Sequence, residues 1–350
     1  MLVIRAITLN DIDPLIEMAR QVGSGMTTLK PDRAMLGERV ETAVASFAQT
    51  IAPEERDYIF VMEDTSNGRL AGVCAIKAAV GLTEPFYNYR IGTLVHSSRE
   101  LGVFTRMDTL YLSNDLTGST ELCSLFLMPE YRTGYNGKWL SKSRFLFMAQ
   151  FQHLFTEKII AEMRGYQAED GSSPFYEGLG RYFFKMDFHH VDDLTALGKK
   201  SFIAELMPRQ PLYVDYLPVE AREAIGKVHQ ATAPARRLLE QEGLHYEGYV
   251  DIFDAGPVLQ ARVSELRAMR DSELASVTRD TDTAHACALH TTEPYLVSNT
   301  VMQDFRMILT DANPSDGSID LSSAEQALLH CHAGDTVRTL SLNVRKNQNV

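Results

Sequence analysis

The sequence predicts an α+β protein: a mixed, mostly antiparallel sheet with helices layered on it, then a helical connection and a small, barrel-like β-rich C-terminal domain. Three observations carry this. Apolar runs of period two separated by turn residues dominate up to residue 127, the period changes to about 3.6 after Pro129, and strand-like runs return after residue 245. With 350 residues, 45% hydrophobic and 23% charged, the composition is that of a globular chain long enough for about two domains.

Leu2 to Ile7 reads as a short strand, and Asn10 precedes a helix whose Ile12, Leu15, Ile16 and Ala19 keep helical spacing. A second helix is expected from Arg33 to Ala48, just after Pro31. Tyr58–Met62 and Leu70–Ala79 flank Thr65-Ser66-Asn67-Gly68, a hairpin signal, and further strands are expected near Tyr89–His96, Met107–Ser113 and Thr120–Leu127. Beyond Pro129, Trp139, Leu140, Leu146, Phe147, Phe151, Leu154 and Phe155 share a broad helical face. Lys158–Met163 is the next strand, and Ser172-Ser173-Pro174 opens a short helix that Gly178 and Gly180 end. Tyr182–Phe188 then reads as a strand and Asp192–Leu206 as a helix.

Pro208, Pro211 and Pro218 punctuate the chain, so the expected units are a first domain over 1–207, a helical connection over 208–245 interrupted at Pro234, and a β-rich domain over 246–350. In that last unit, strands are expected at Tyr246–Phe253, Val258–Met269, Tyr295–Asn299, Phe305–Leu309 and Thr336–Leu342. One helix over Ser322–Leu329 follows a capping-box sequence, and the polar tail Arg345–Val350 is expected to fray.

Charge narrows the function. Lysine and arginine number 34 against 46 aspartates and glutamates, and the net charge of −12 opposes general attraction to nucleic acid or an anionic membrane. Cys74, Cys123, Cys287 and Cys331 are widely spaced and form no CxxC pair, which argues against a zinc ribbon or disulfide scaffold and fits a reducing cytoplasm. The opening MLVIRAITLNDIDPLIEMAR lacks a signal peptide's apolar core, and no apolar run approaches the ~18 residues of a membrane span. The expectation is a soluble, cytoplasmic protein.

Against this acidic background, Tyr131 to Gln150 holds Arg132, Lys138, Lys142 and Arg144 and no acid at all. Gly134 and Gly137 lie between Pro129 and the helix, so backbone amides and the helix N-terminus can turn toward a phosphate. A glycine turn leading into a solvated basic helix face fits the same residues, and the loop by itself leaves both readings open.

Context decides between them. The segment from Leu125 to Lys138, LFLMPEYRTGYNGK, resembles the acyl-CoA loop L-x-V-x-P-x-Y-R-x-x-G-x-G of the GNAT N-acyltransferase superfamily. Pro174-Phe175-Tyr176-Glu177-Gly178-Leu179-Gly180 resembles that superfamily's A-x-x-F-Y-E-K-L-G-F marker, and Ile4-Arg5-Ala6-Ile7 with Asp11 resembles its usual opening. One departure is Tyr135 where the first loop glycine is usual, with Gly134 one place earlier, so which amides hold the pyrophosphate stays open. Over nearly its full length the chain is similar to the arginine N-succinyltransferase family, including Met26-Thr27-Thr28-Leu29, Leu110-Tyr111-Leu112 and the run from Tyr246 to Pro257.

The resemblance implies a GNAT-like acyltransferase domain over 1–207 and transfer of succinyl from succinyl-CoA to the α-amine of L-arginine. Succinyl-CoA is then a cosubstrate, with no tightly bound cofactor. Arg132, Gly134, Gly137 and Lys138 are expected to hold CoA, and Leu125 and Leu127 to polarise the thioester through main-chain donors. An α-amine of pKa near ~8 must lose a proton, and the family points to His229 for proton transfer, with Tyr176 as the alternative acid. A homo-oligomer, or a hetero-oligomer with a related subunit, is also implied. Ornithine or another amine as acceptor, or a non-catalytic acyl-CoA-binding subunit, are the competing readings. His330-Cys331-His332 with His285 and His290 suggests a metal cluster only if the first three are extended, and the helix end expected there splays them, so no metal site is assigned.

Overall fold

The computed structural model describes residues 1–22, 26–196, 201–278 and 293–344. The first half follows the sequence closely: β1 (Leu2–Ala6), α1 (Ile12–Ala19), α2 (Arg33–Phe47), β2 (Asp57–Asp64), β3 (Arg69–Lys77), β4 (Asn88–Ser98), β5 (Val103–Ser113), β6 (Thr120–Leu127), α3 (Asn136–Gln150) and β7 (Lys158–Glu162). Local chemistry explains several ends. Asp32 caps α2 by accepting Met35 N–H at 2.9 Å, and Gly68, at φ +70°, turns β2 into β3. The pair Arg5 and Asp11 is structural: both Asp11 oxygens bind the guanidinium, at 2.8 and 2.9 Å, fastening β1 to the turn before α1.

The next stretch departs from expectation. The helix opened by Pro174 runs on through a π turn at Tyr176–Gly180 into α4 (Arg181–Phe184), where a strand was expected from Tyr182. Gly178 and Gly180 serve packing rather than termination: a Cβ on Gly178 would lie 2.6 Å from the Ala221 Cβ, and one on Gly180 2.7 Å from the Tyr176 ring. α5 (Phe188–Ala196) and α6 (Ser201–Leu206) lie where a helix was expected over Asp192–Leu206, of which residues 197–200 fall outside the described residues. β8 (Leu212–Tyr213), α7 (Val219–Ala224) and α8 (Ala233–Glu242) complete the connection, with Pro234 in the first turn of α8 instead of interrupting it.

The strands that follow join the same sheet. β9 (His245–Asp251) pairs with β4, and β10 (Pro257–Arg262) pairs antiparallel with β7 from Val258↔Glu162 to Arg262↔Lys158. The expected boundary at 246 therefore falls inside the main sheet, because β7 has an edge that only a strand far along the chain fills. Val258–Met269 also divides, into β10 and the short α9 (Arg267–Asp271). β11 (Glu273–Thr278), β12 (Tyr295–Ser298), β13 (Arg306–Thr310), β14 (Ser318–Asp320), α10 (Ser323–Leu329) and β15 (Thr336–Ser341) finish the chain; β11 and β14 were not foreseen. Ser322 and Glu325 form the reciprocal capping box at the start of α10. The tail from 345 lies outside the described residues.

Among the described residues one sheet runs β14-β11-β15-β12-β13-β1-β2-β3-β6-β7-β10-β9-β4-β5-β8, antiparallel except at β6–β7 and β11–β14. β13 joins β1 at Ile4↔Met307, and the core follows the sheet. Phe147 of α3 packs its ring 4.9 Å from Phe60 of β2 and 5.0 Å from Phe305, so residues far apart in sequence share one apolar cluster with Leu340 and Leu342.

Candidate active site

β6 and β7 run parallel and pair only at Thr120↔Ile159 and Glu121↔Ile160. Beyond that point neither strand hydrogen-bonds to the other, and their C-terminal halves form the two walls of an opening in the sheet. Leu125 and Leu127, both half-buried, lie on the β6 wall. β6 is also irregular there. Ala75 of β3 faces Cys123, whereas Val73 faces Phe126, so Ser124 and Leu125 together oppose Cys74. This bulge holds Ser124 at φ +54°, a conformation that L-residues other than Asn and Asp seldom adopt.

The loop that leaves β6 makes one turn at Pro129–Tyr131 and reverses through Gly134, at φ +55°, into α3. The N–H groups of Gly137 and Lys138 sit in the first turn of that helix, where no intrahelical acceptor exists and the dipole favours an anion. Arg132 is exposed, its Nε donates to the Leu127 carbonyl at 2.9 Å, and its guanidinium lies 5.5 Å over the Phe126 ring.

The other cations of the acid-free window point elsewhere. Lys138 Nζ donates to Asn343 Oδ1 at 2.6 Å, and burial with the nearby Arg267 lowers its pKa. Lys142 is fully buried against Glu242 of α8, which also accepts from Arg267 of α9 at 3.0 Å. Arg144 is buried on Ser141, donating to its carbonyl at 3.2 Å and its hydroxyl at 3.1 Å. The window thus serves the core as well as the loop, a division that charge counting does not resolve.

The β7 wall carries His229. Gly165, three residues past β7, forms an isolated bridge with Val228, His229 N–H donates to the Arg164 carbonyl at 2.9 Å, and Tyr166 N–H donates to the Lys227 carbonyl at 3.1 Å. Asp254 secures this segment: its carboxylate accepts Gly165 N–H at 2.7 Å and Gly256 N–H at 2.8 Å, and burial beside Asp251 raises its pKa. Only glycine fits at 165, since a Cβ there would lie 2.3 Å from the Asp254 carbonyl oxygen. The half-buried imidazole of His229 accepts Ala231 N–H at Nδ1, 3.1 Å away. The neutral ring therefore carries its proton on Nε2, and burial together with the charge of Arg164 lowers its pKa below the usual 6.5.

Tyr176 occupies a different setting. It is fully buried between Phe184 and Phe188, its hydroxyl donates to the Met186 carbonyl at 2.9 Å, and burial pushes its pKa up to about 12. His330 ends α10 in a left-handed conformation with Nδ1 2.6 Å from Asp304 Oδ2; His285 and His290 lie outside the described residues. Sequence reasoning missed Arg164 and Asp254. Gly165 was the available signal for Asp254, but a glycine shows a close approach without naming what approaches.

The sequence model of the family described as arginine N-succinyltransferase beta subunit matches residues 2–268, and that of its C-terminal domain matches residues 283–341. The arginine N-succinyltransferase of Shigella sonnei is 46% identical over 345 residues, spanning 98% of both chains, and that of Yersinia enterocolitica is 48% identical over 342 residues with the same coverage. The solved structure of arginine/ornithine succinyltransferase subunit AI from Pseudomonas aeruginosa superposes with a TM-score of 0.88 at 32% identity, over 98% of this chain and 99% of that one. With the family model matching residues 2–268 and relatives 46–48% identical along 98% of the chain, the chain belongs to the arginine N-succinyltransferase family.

Proposed function

We propose that this acyltransferase moves the succinyl group of succinyl-CoA to the α-amine of L-arginine, giving N2-succinyl-L-arginine and CoA. The carrying observation is that His229 is fastened to the end of β7, across an opening in the sheet from the β6 bulge and the phosphate loop. The first-turn amides of α3 and the exposed Arg132 suit the CoA phosphates, and the main chain at Leu125 and Leu127 suits the thioester. Gly134 supplies the reversal that brings loop and helix together. The role of Lys138 in this reading is its backbone N–H, because its side chain engages Asn343.

The amine attacks the thioester carbon, the C–N bond forms and the carbonyl pair moves to oxygen. Collapse breaks the C–S bond, and the surplus proton of the amine ends on sulfur as CoA thiol. In the tautomer fixed by Ala231, Nε2 carries the hydrogen, so His229 relays the proton by giving the Nε2 hydrogen to sulfur while Nδ1, released from the Ala231 N–H, takes up the surplus proton of the amine. Tyr176 is the less suited acid, since its hydroxyl proton already points at the Met186 carbonyl. The acidic excess of the chain favours a cationic acceptor. Cytoplasmic location fits this reading, and among the described residues no helix is long and apolar enough to cross a membrane. Assembly as a homo-oligomer, or with a related subunit, belongs to the same reading. Thiol release measured across acyl donors and amino acids tests it: succinyl-CoA with arginine should be the best pair, and equal turnover with acetyl-CoA or ornithine would sink the donor or the acceptor assignment.

A further inference from the structure

We propose that Arg39 is a positioning residue for acyl transfer, holding the β6 bulge that aims the Leu125 main chain into the opening. The guanidinium of Arg39, on α2, spans three elements. Its Nε donates to Asp57 Oδ2 of β2 at 2.7 Å, and its Nη1 donates both to Ser124 Oγ of the bulge at 2.8 Å and to the Thr28 carbonyl at 2.6 Å. Ser124 Oγ in turn donates to Thr28 Oγ1 at 2.9 Å. The Arg39 and Asp57 side chains are 13% and 8% exposed, so water competes little with these bonds.

Ser124 pays a conformational penalty at φ +54° that no side chain of its own relieves. The charge-assisted bond from Arg39 is what offsets it. Without that bond, β6 has a lower-energy alternative in a regular register, and a one-residue slip turns every later side chain and amide to the other face. Leu125 is the next residue, so its N–H direction depends directly on the clamp. Lysine cannot substitute, because one ammonium cannot meet Asp57, Ser124 and Thr28 in the fixed fork of a guanidinium. Arg39 touches neither phosphate loop residue nor His229 among the described contacts, so its effect is on the acyl group and not on CoA itself.

This inference rests on the reading that the Leu125 N–H polarises the thioester, and the experiment separates the two. Arg39→Lys and Ser124→Ala should each lower kcat about ten- to a hundredfold, as a misaimed catalytic group does. Their affinity for CoA, which lacks the acyl carbonyl, should stay within about twofold of the parent by calorimetry. Because the two residues act through one bond, the double variant should be no slower than the slower single. Ser124→Gly adopts positive φ without strain, so its bulge needs no clamp: it should keep kcat near that of the parent where Ser124→Ala loses it, it stays readable if Ser124→Ala folds poorly, and a loss as large as that of Arg39→Lys would overturn the clamp. Unchanged kcat in Arg39→Lys, losses that multiply in the double variant, or CoA affinity falling in step with kcat would each overturn the clamp. Replacing residue 125 by its α-hydroxy acid removes that N–H alone. A normal kcat there defeats the Leu125 reading, whereas a depressed kcat there with a normal Arg39→Lys defeats only the clamp.

Discussion

At the residue scale, His229 and Tyr176 make opposite predictions. His229→Ala removes the relay and should lower kcat by about 10²- to 10⁴-fold while leaving CoA binding intact, as measured by steady-state rates beside a binding titration. Tyr176→Phe removes only a buried hydrogen bond to Met186, so it should cost about 1 kcal/mol of stability and leave kcat nearly unchanged. A collapse of kcat in Tyr176→Phe with a normal His229→Ala would exchange their roles. The pH dependence has a definite sign. Burial and Arg164 depress the His229 pKa, so the ring is neutral through the neutral range and protonates only below pH 6.5. Unfolding restores the ordinary value, the unfolded chain then binds the extra proton, and the stability linked to this ring is complete above about pH 6.5 and declines as pH falls toward the folded value. Histidine NMR titration should place this inflection below that of the exposed histidines; one at or above 6.5 would contradict the burial argument.

At the scale of elements, α3 is the hinge of the design. Its N-terminal turn faces the opening, and its middle is stapled by the buried group Lys142, Glu242 and Arg267, with Arg267 also donating to the Ser341 carbonyl at 3.2 Å. One carboxylate thus serves two buried cations from α3 and α9. Glu242→Gln leaves both cations without an anion and should destabilise the protein by about 3–5 kcal/mol, read from urea midpoints. A loss below about 1 kcal/mol would mean that water already reaches the group. The expected strand at Tyr182–Phe188 fails at this scale for a related reason. Its residues have the aromatic content of a strand, but Phe184 ends α4, Phe188 opens α5, and the left-handed turn at Lys185 between them sets both rings against Tyr176, where they cover β4 and β9.

At the scale of the molecule, the sheet is continuous through strands from both ends of the chain. Residues 1–268 expressed alone should therefore lack a cooperative core: β1 loses β13, and Phe60 and Phe147 lose Phe305. Near-UV circular dichroism should show lost tertiary packing with much secondary structure retained. A truncated chain that unfolds at the midpoint of the full protein would show that the first 268 residues are self-sufficient.

What the sequence determined by itself was whatever depends on neighbours along the chain. Period and turn chemistry placed β1 to β7 and α1 to α3, and the run from Leu125 to Lys138 marked the loop. Partners distant in sequence were decided only by the tertiary structure. Strand pairing assigned β9 and β10 to the main sheet, Glu242 turned Lys142 inward, and the Gly165–Val228 bridge brought His229 to the end of β7. The physical reason is common to all three. Period and composition record which side chains favour burial or a given backbone, but an open strand edge, a buried charge and a close backbone approach are completed by residues about a hundred positions or more away, or across a loop of some sixty, which no local pattern specifies.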